Sequence, residues 1–474
     1  MKKIFAIFMT ICLLASALCV TAFAEDPVVM SVYGLKKDGE TKVILDTFTD
    51  FSVGWEAVVD YAEDHDTMDI SGYERIVVDF HADWNANSEG EFGDGGDGFE
   101  WSTIHVPGKV SITMNLNGHT INRGLGDNNE LDGEVIRVEG KADLIINDGT
   151  ITGGNSDNGA GGLHITGGAT VTLNNVNVSK NEADGDNGAG IALYGGSTLI
   201  MTGGSISNNI NDSFCNEAAG VYLNNSTAIF EGVTFSNNQA TYTPVNGTIL
   251  FLDQKSAVTM KKCEVFGNGT KNAELNSQGS ISLIHITGDS RIDITETNFT
   301  GNGDAGTKAT GSNVLINVYD AEHCYIDNCT FTNNSAVYLF MVVNNDVKVT
   351  NSRFLNNPAN VLHGYGEKVS FTDCVFHNNP ATKWTDYDSF YFVFKDAPIT
   401  FTRCDMGNST FNDRSRATFE NSGVGSIFGE GSLIMVVAIL ALVASATSIY
   451  ISFALYKKKT VPVTTNNATD EDEE

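Results

Sequence analysis

The stretch "TVTLNNVNVSKN" at residues 170–181 returns along the chain in altered copies that keep one pattern. "TLIMTGGSISNN" ends at Asn209, "TAIFEGVTFSNN" at Asn238, "AVTMKKCEVFGN" at Asn268 and "RIDITETNFTGN" at Asn302. "CYIDNCTFTNN" ends at Asn334, "VKVTNSRFLNN" at Asn357 and "VSFTDCVFHNN" at Asn379. Each copy runs through an apolar alternation, a small residue, another apolar residue and then Asn three positions later. Repetition of this kind outranks local secondary-structure signals, because it fixes the architecture. The apolar residue three before each Asn serves as a register mark: Val178, Ile206, Phe235, Val265, Phe299, Phe331, Phe354 and Phe376, with weaker copies at Ile121, Ile151 and Met406. The steps between these marks are 30, 27, 28, 29, 30, 34, 32, 23, 22 and 30 residues.

Within each turn the residues seven, five and two before the mark share its face, as Val171, Leu173 and Val176 do beside Val178. Spacing by two means strand, and the step from five to two breaks the alternation, so a bend lies there. A second run opens after a small-residue turn: "GAGGLHI" at 159–165, "GAGIAL" at 188–193, "AAGVYL" at 218–223 and "QGSISLIHI" at 278–286. Short strands separated by corners, with one apolar set inward, are what a coil of parallel β-helix requires, since no single coil can bury its apolar face alone. Asn at a recurrent corner fits a left-handed backbone and an amide bonding within the turn. About eleven coils at a strand spacing of about 4.8 Å make a rod of roughly 50 Å. A propeller would need a longer repeat, of about 40–50 residues with four strands per blade.

The repeats resemble the right-handed β-helix surface proteins of bacteria, and are similar to the polymorphic outer-membrane protein class marked by GGA[ILV] and FxxN. FxxN stands at 235–238, 299–302, 331–334, 354–357 and 376–379, and the other half appears as "GAGG", "GAGI" and "AAGV". The resemblance covers about residues 110–410. It implies an all-β, right-handed parallel β-helix, a pectate-lyase-like solenoid. That class ends in an outer-membrane β-barrel, whereas this chain ends in one apolar run, so the class's secretion route does not carry over.

The two ends carry different signals. Lys2 and Lys3, the apolar Ile4 to Val20, and Ala22-Phe23-Ala24 read as a signal peptide over 1–24; Leu18 disfavours a lipoprotein signal at Cys19. The uncharged run 433–456, followed by Lys457-Lys458-Lys459, reads as one C-terminal transmembrane helix with a cytoplasmic tail at 457–474. The expected placement is a single-pass cell membrane protein with an extracellular N-terminal part. Between these ends, 25–109 reads as an N-terminal cap and first strands, 110–411 as the β-helix and 412–432 as a linker. "SVGWEAVVDYAED" at 52–64 suits an amphipathic cap helix with Trp55, Val58, Val59 and Ala62 on its apolar side, and "RIVVDF" starts the first strands.

The formal net charge is −31. Phosphate backbones need Lys and Arg, so no nucleic-acid partner is expected. Of the six cysteines beyond the signal, Cys263, Cys329, Cys374 and Cys404 stand two before a mark and Cys324 seven before one, which places small buried thiols in the inner ladders. Cys374 and Cys404 fall on adjacent coils, close enough for a disulfide in an oxidising compartment.

No catalytic set stands out. Glycoside hydrolysis needs paired carboxylates, and the polygalacturonase pattern NTD, DD, GHG, RIK is represented only by His363-Gly364. His81, His105, His119, His164, His285, His323, His363 and His377 look scattered among the coils. The acidic glycine loops "GDGGDGFE" (93–100) and "EADGDNGAG" (182–190) offer weak calcium candidates at Asp94, Asp97, Asp184 and Asp186, without an EF-hand or RTX pattern. In "KWTDYDSFYFVF" (383–394), Phe390, Phe392 and Phe394 alternate as core, leaving Trp384 and Tyr387 as exposed aromatics for sugar stacking. The expectation is therefore a non-catalytic, surface-anchored adhesin or recognition protein without a cofactor, whose partner is an extracellular glycan or surface protein. The alternative is a membrane-tethered polysaccharide lyase or glycoside hydrolase with an atypical site.

Overall fold

The structure is a computed structural model. It describes residues 26–63, 72–86, 104–125, 133–157, 159–183, 188–212, 218–241, 246–270, 281–303, 313–336, 338–343, 345–357, 360–365, 368–379, 392–394, 399–407 and 417–422.

The chain enters through an antiparallel cap. β1 (Met30–Lys36) pairs with β2 (Lys42–Phe48) on one side and with β3 (Tyr73–Phe80) on the other. Between β2 and β3, α1 (Phe51–Glu63) buries Gly54, Trp55, Val58 and Ala62. Asp50 starts this helix by accepting the backbone N–H bonds of Ser52 and Val53 at 2.8 and 3.0 Å, as an N-cap carboxylate does. The Trp55 indole N–H donates to the His105 carbonyl at 3.0 Å, tying the helix to the first coil. β3 then pairs in parallel with Ser111–Asn115, and from there every coil follows the one before it.

One coil shows the rule. Leu163–Ile165 lies in a second sheet, Thr170–Ser179 in the long sheet and Glu182–Ala183 in a third. The long strand bends at Asn175, whose φ is +53°. The residue three before each of the eleven marks is likewise left-handed, from Gly118, Asp148 and Asn175 to Asp373 and Arg403. Val178 pairs with Ile151 and Ile206, and the marks stay in register through Phe235, Val265, Phe299, Phe331, Phe354 and Phe376. Trp84 adds a rung before Ile121. At the far end Ala417–Glu420, within the stretch read as a linker, pairs in parallel with Ile399–Thr402.

The Asn after each mark turns inward rather than lining the corner. Eight of them, from Asn181 to Asn379, are buried in one column. The Asn209 side chain accepts at Oδ1 from the Asn181 backbone N–H and from Asn181 Nδ2, both at 3.1 Å. Its own Nδ2 donates to the Val178 carbonyl at 3.1 Å and to Asn238 Oδ1 at 3.0 Å. The side-chain chain runs on through Asn268, Asn302, Asn334 and Asn357 to Asn379, with Nδ2 to Oδ1 distances of 2.9–3.1 Å. The left-handed corner residue is the one before it: Lys180, Asn208, Asn237, Gly267, Gly301, Asn333, Asn356 and Asn378. The ladder amides thus bond mainly between coils, with Asn268 Nδ2 also donating within its turn to the Phe266 carbonyl at 3.1 Å.

The mark column is phenylalanine from residue 299 to residue 376. Phe299, Phe331, Phe354 and Phe376 stack face to face at 4.7–4.9 Å, and Phe371, Phe401 and Phe419 form a second stack at 5.4 Å. Each such pair adds about 0.5–1.5 kcal/mol beyond area burial. Two before the mark, small donors clip the bend: Cys329 Sγ donates to the Ile294 carbonyl, Ser352 Oγ to Thr350 and Cys404 Sγ to Phe371.

Two expectations need correction. The one helix among the described residues is α1, of 13 residues. At about 1.5 Å per residue it falls well short of the roughly 30 Å of a bilayer's hydrocarbon core. Among the described residues no helix is long and apolar enough to cross a membrane, and 433–456 lies outside them. The fold is an all-β parallel β-helix with one short helix. The predicted transmembrane helix, and the single-pass membrane placement built on it, are withdrawn on that ground. The signal stretch 1–24 also lies outside the described residues. Second, Cys374 and Cys404 are free, buried thiols, as are Cys263, Cys324 and Cys329; Cys215 lies outside the described residues.

Burial pushes the Cys263 thiol up to about 11 and those of Cys324 and Cys329 up to about 12. These three should therefore stay unmodified by iodoacetamide at mildly alkaline pH until the protein is denatured, as read by peptide mapping. Asn268→Ala should cost about 2–4 kcal/mol, since it strands buried donors and acceptors on two coils. Asn208→Ala, at an exposed left-handed corner, should cost only about 1–2 kcal/mol. Urea unfolding of both variants checks the ordering; equal costs would remove the ladder from its central place.

Candidate functional site

The second sheet is built of short strands whose flanking residues point inward, such as Leu163 and Ile165, Val221 and Leu223, and Ile284 and Ile286. The residue between each pair must point outward. In register these outward positions read His105, Arg137, His164, Ala192, Tyr222, Phe251, His285, Asn317 and Met341. Three histidines that look scattered in the sequence, His105, His164 and His285, therefore share one column.

Where the column has Ala192, the ring of Tyr194 fills the gap from two residues on. Ring centroids then run His164 to Tyr194 at 5.3 Å, Tyr194 to Tyr222 at 5.5 Å, Tyr222 to Phe251 at 5.3 Å and Phe251 to His285 at 5.2 Å. Interplanar angles of 55–82° make this a tilted, edge-rich stack, the geometry that ring quadrupoles favour. The recurrent small-residue corners explain themselves here. Ala160, Ala192 and Ala218 pack against Tyr222 and Phe251. A Cβ on Gly159 would stand 2.8 Å from His164 Nδ1 and 2.9 Å from Glu134 Oε2, so a side chain at that corner would have to displace the His164–Glu134 pair.

One end of the column is charged. Glu134 is only 2% exposed and is bonded by the Arg137 guanidinium. Its other oxygen is 3.6 Å from His164 Nδ1. Burial pushes this carboxyl up, but the His164 and Arg137 donors outweigh burial and hold it below the usual range. Arg137 also lies 3.6 Å from Glu139, which is 3.3 Å from His105 Nε2. The other end is neutral. Asn317 Nδ2 donates to His285 Nδ1 at 3.2 Å, Ser282 Oγ is 3.5 Å away, and burial lowers the His285 imidazole to about 4.

Asp94, Asp97, Asp184 and Asp186 lie outside the described residues, as do Trp384, Tyr387 and Phe390. Phe392 and Phe394 fall in the second-sheet strand Phe392–Phe394. Among the described residues no three His, Cys, Asp or Glu side chains converge on a metal position. The residues that sequence reasoning missed are Glu134, Arg137, Tyr222, Phe251 and Asn317. For all but Glu134 the signal was present: the third letters of "VIRV", "GVYL", "ILFL" and "LINV", read coil against coil beside "GLHI" and "LIHI", give the column.

A neutral, half-buried His285 makes stability depend on pH. The unfolded chain binds a proton near the ordinary value of 6.5, while the folded chain resists it until about 4. Stability present above 6.5 is therefore lost as pH falls towards 4, by up to about 3 kcal/mol. His285→Gln should flatten the fall in Tm across that window, measured by calorimetry in buffers of matched ionic strength. An unchanged slope would place the acid sensitivity elsewhere.

A family model described as "Right handed beta helix region" matches residues 111–285 and 282–436. No curated protein and no solved structure matches the chain. With most of its length matched, and the parallel coils in register along it, the chain belongs to the right-handed β-helix family.

Proposed function

We propose that the chain is a non-catalytic recognition protein for extended glycans, which it reads along the outward face of the second sheet. The observation that carries this reading is the aromatic column, one ring per coil at 5.2–5.5 Å from His164 to His285. Such a column repeats along the rod axis, so it suits a ligand that itself repeats. Aromatic side chains with polar tips bury apolar area while offering hydrogen bonds. The FxxN and small-residue half-motifs fall in register, which supports the likeness to adhesive β-helix repeats. A surface protein bearing such glycans is the natural partner, and the acidic chain disfavours nucleic acid.

An enzyme of the polysaccharide lyase or glycoside hydrolase class is the second reading, favoured by the meeting of Glu134, Glu139, Arg137 and His164. Binding ranks above it for a physical reason. A hydrolase needs one carboxyl held protonated as general acid, whereas Glu134 is buried and held ionised. A lyase needs a free base, and Arg137 is held between two carboxylates.

The purified full chain, screened on a glycan array with release of reducing ends assayed in parallel, should retain glycans and release nothing. Product release abolished by Glu134→Gln would move the chain to the enzyme class; a blank array would end the glycan reading.

A further inference from the structure

We infer that the glycan held by this column is uncharged. The inference rests on the glycan reading above and adds its chemical class. An acidic polysaccharide would need cations facing its carboxylates or sulfates. Arg137 is the one cation among the described residues of the column, and Glu134 and Glu139 already share it. Elsewhere on the coils the same pairing recurs: Lys261 with Glu231 at 3.5 Å, Arg291 with Glu322 at 3.5 Å and Arg403 with Asp373 at 2.5 Å. The formal charge of −31 adds a long-range repulsion towards any polyanion.

What the column offers instead is neutral hydrogen bonding on an aromatic base. The Tyr222 hydroxyl accepts from Asn224 Nδ2 at 3.1 Å. His285 presents a neutral imidazole, fixed by the Asn317 amide at 3.2 Å. Asn317 is 8% exposed, and its Oδ1 has no hydrogen-bond partner among the described residues. A buried acceptor left unmade costs about 1–3 kcal/mol, so a donor is expected there. A sugar hydroxyl is such a donor on neutral and acidic glycans alike, so the choice between the two classes follows from the paired cations and the negative charge. His164, Tyr222 and Phe251 are buried in the column, and Tyr194 and His285 are the half-buried rings that a ligand would reach.

The test uses the full chain against two sets of immobilised polymers, neutral glucan, mannan and galactan, and acidic polygalacturonate and alginate. Each is measured at low and high salt, with and without calcium. Binding to a neutral polymer, indifferent to salt and calcium, is expected. Tyr194→Leu and Asn317→Asp should each weaken it about tenfold, with Tm unchanged. If Asn317→Asp lowers Tm, Tyr194→Leu carries the test alone. Tight binding to the acidic polymers, or neutral binding that neither variant weakens, overturns the inference while leaving glycan recognition standing. No binding to either set would instead count against the glycan reading itself.

Discussion

The buried asparagine ladder is the constraint on which the rest of this fold depends. A primary amide has two donors and an acceptor with two lone pairs. In the column from Asn181 to Asn379 each interior amide uses its donors on the next Asn and on a mark carbonyl, and its oxygen on the coil before. Apolar ladders alone would tolerate slippage, because one Val stacks on another Ile nearly as well. An amide does not. Shifting one coil by a residue would bury an unpaired polar group and turn its inward set outward. The ladder converts a sequence of loosely similar apolar runs into one register.

Fixing that corner also decides where the chain can vary. Successive marks are separated by as few as 22 and as many as 34 residues, yet the segment from seven before the mark to the Asn keeps its length. The difference falls between the Asn and the next second-sheet strand: Asn334 is followed soon by Tyr338, whereas Asn268 is separated from Ile281 by a longer stretch. Variation in length therefore falls, in chain order, just ahead of the second-sheet strands.

Much of this was legible in the sequence. The marks, the bend and the inner thiols follow from spacing by two and its interruption, because burial imposes a period that substitution preserves. Two things were less legible. The role of Asn was read from its backbone tolerance, yet the left-handed position belongs to its neighbour, such as Asn208 or Lys180. Asn208 and Asn209 are adjacent and identical, and only pairing with other coils tells them apart. The outward column was hidden for a related reason. Its members are His, Tyr, Phe and Asn, which share no single type and are separated by about thirty residues. Their kinship is one of register, visible only once coils are stacked.

The charged and neutral ends of that column pose the sharper question of what such a face is for. A buried ion pair is weak support for stability, since desolvation can cancel the attraction, and breaking one partner is costly. Glu134 with Arg137 and His164 is therefore poorly explained as a stabilising device alone. Its geometry gives it a better role as an end-stop. Gly159 leaves room for the His164–Glu134 pair, and the Glu134 carboxylate fixes the His164 ring, which in turn sets the first member of the aromatic stack. Each later ring is held by the one before it at the coil spacing. Among the described residues Glu134 is the one buried carboxylate, and the chain spends it on orienting a row of rings, which a purely structural face, satisfied by threonine and valine, would not require.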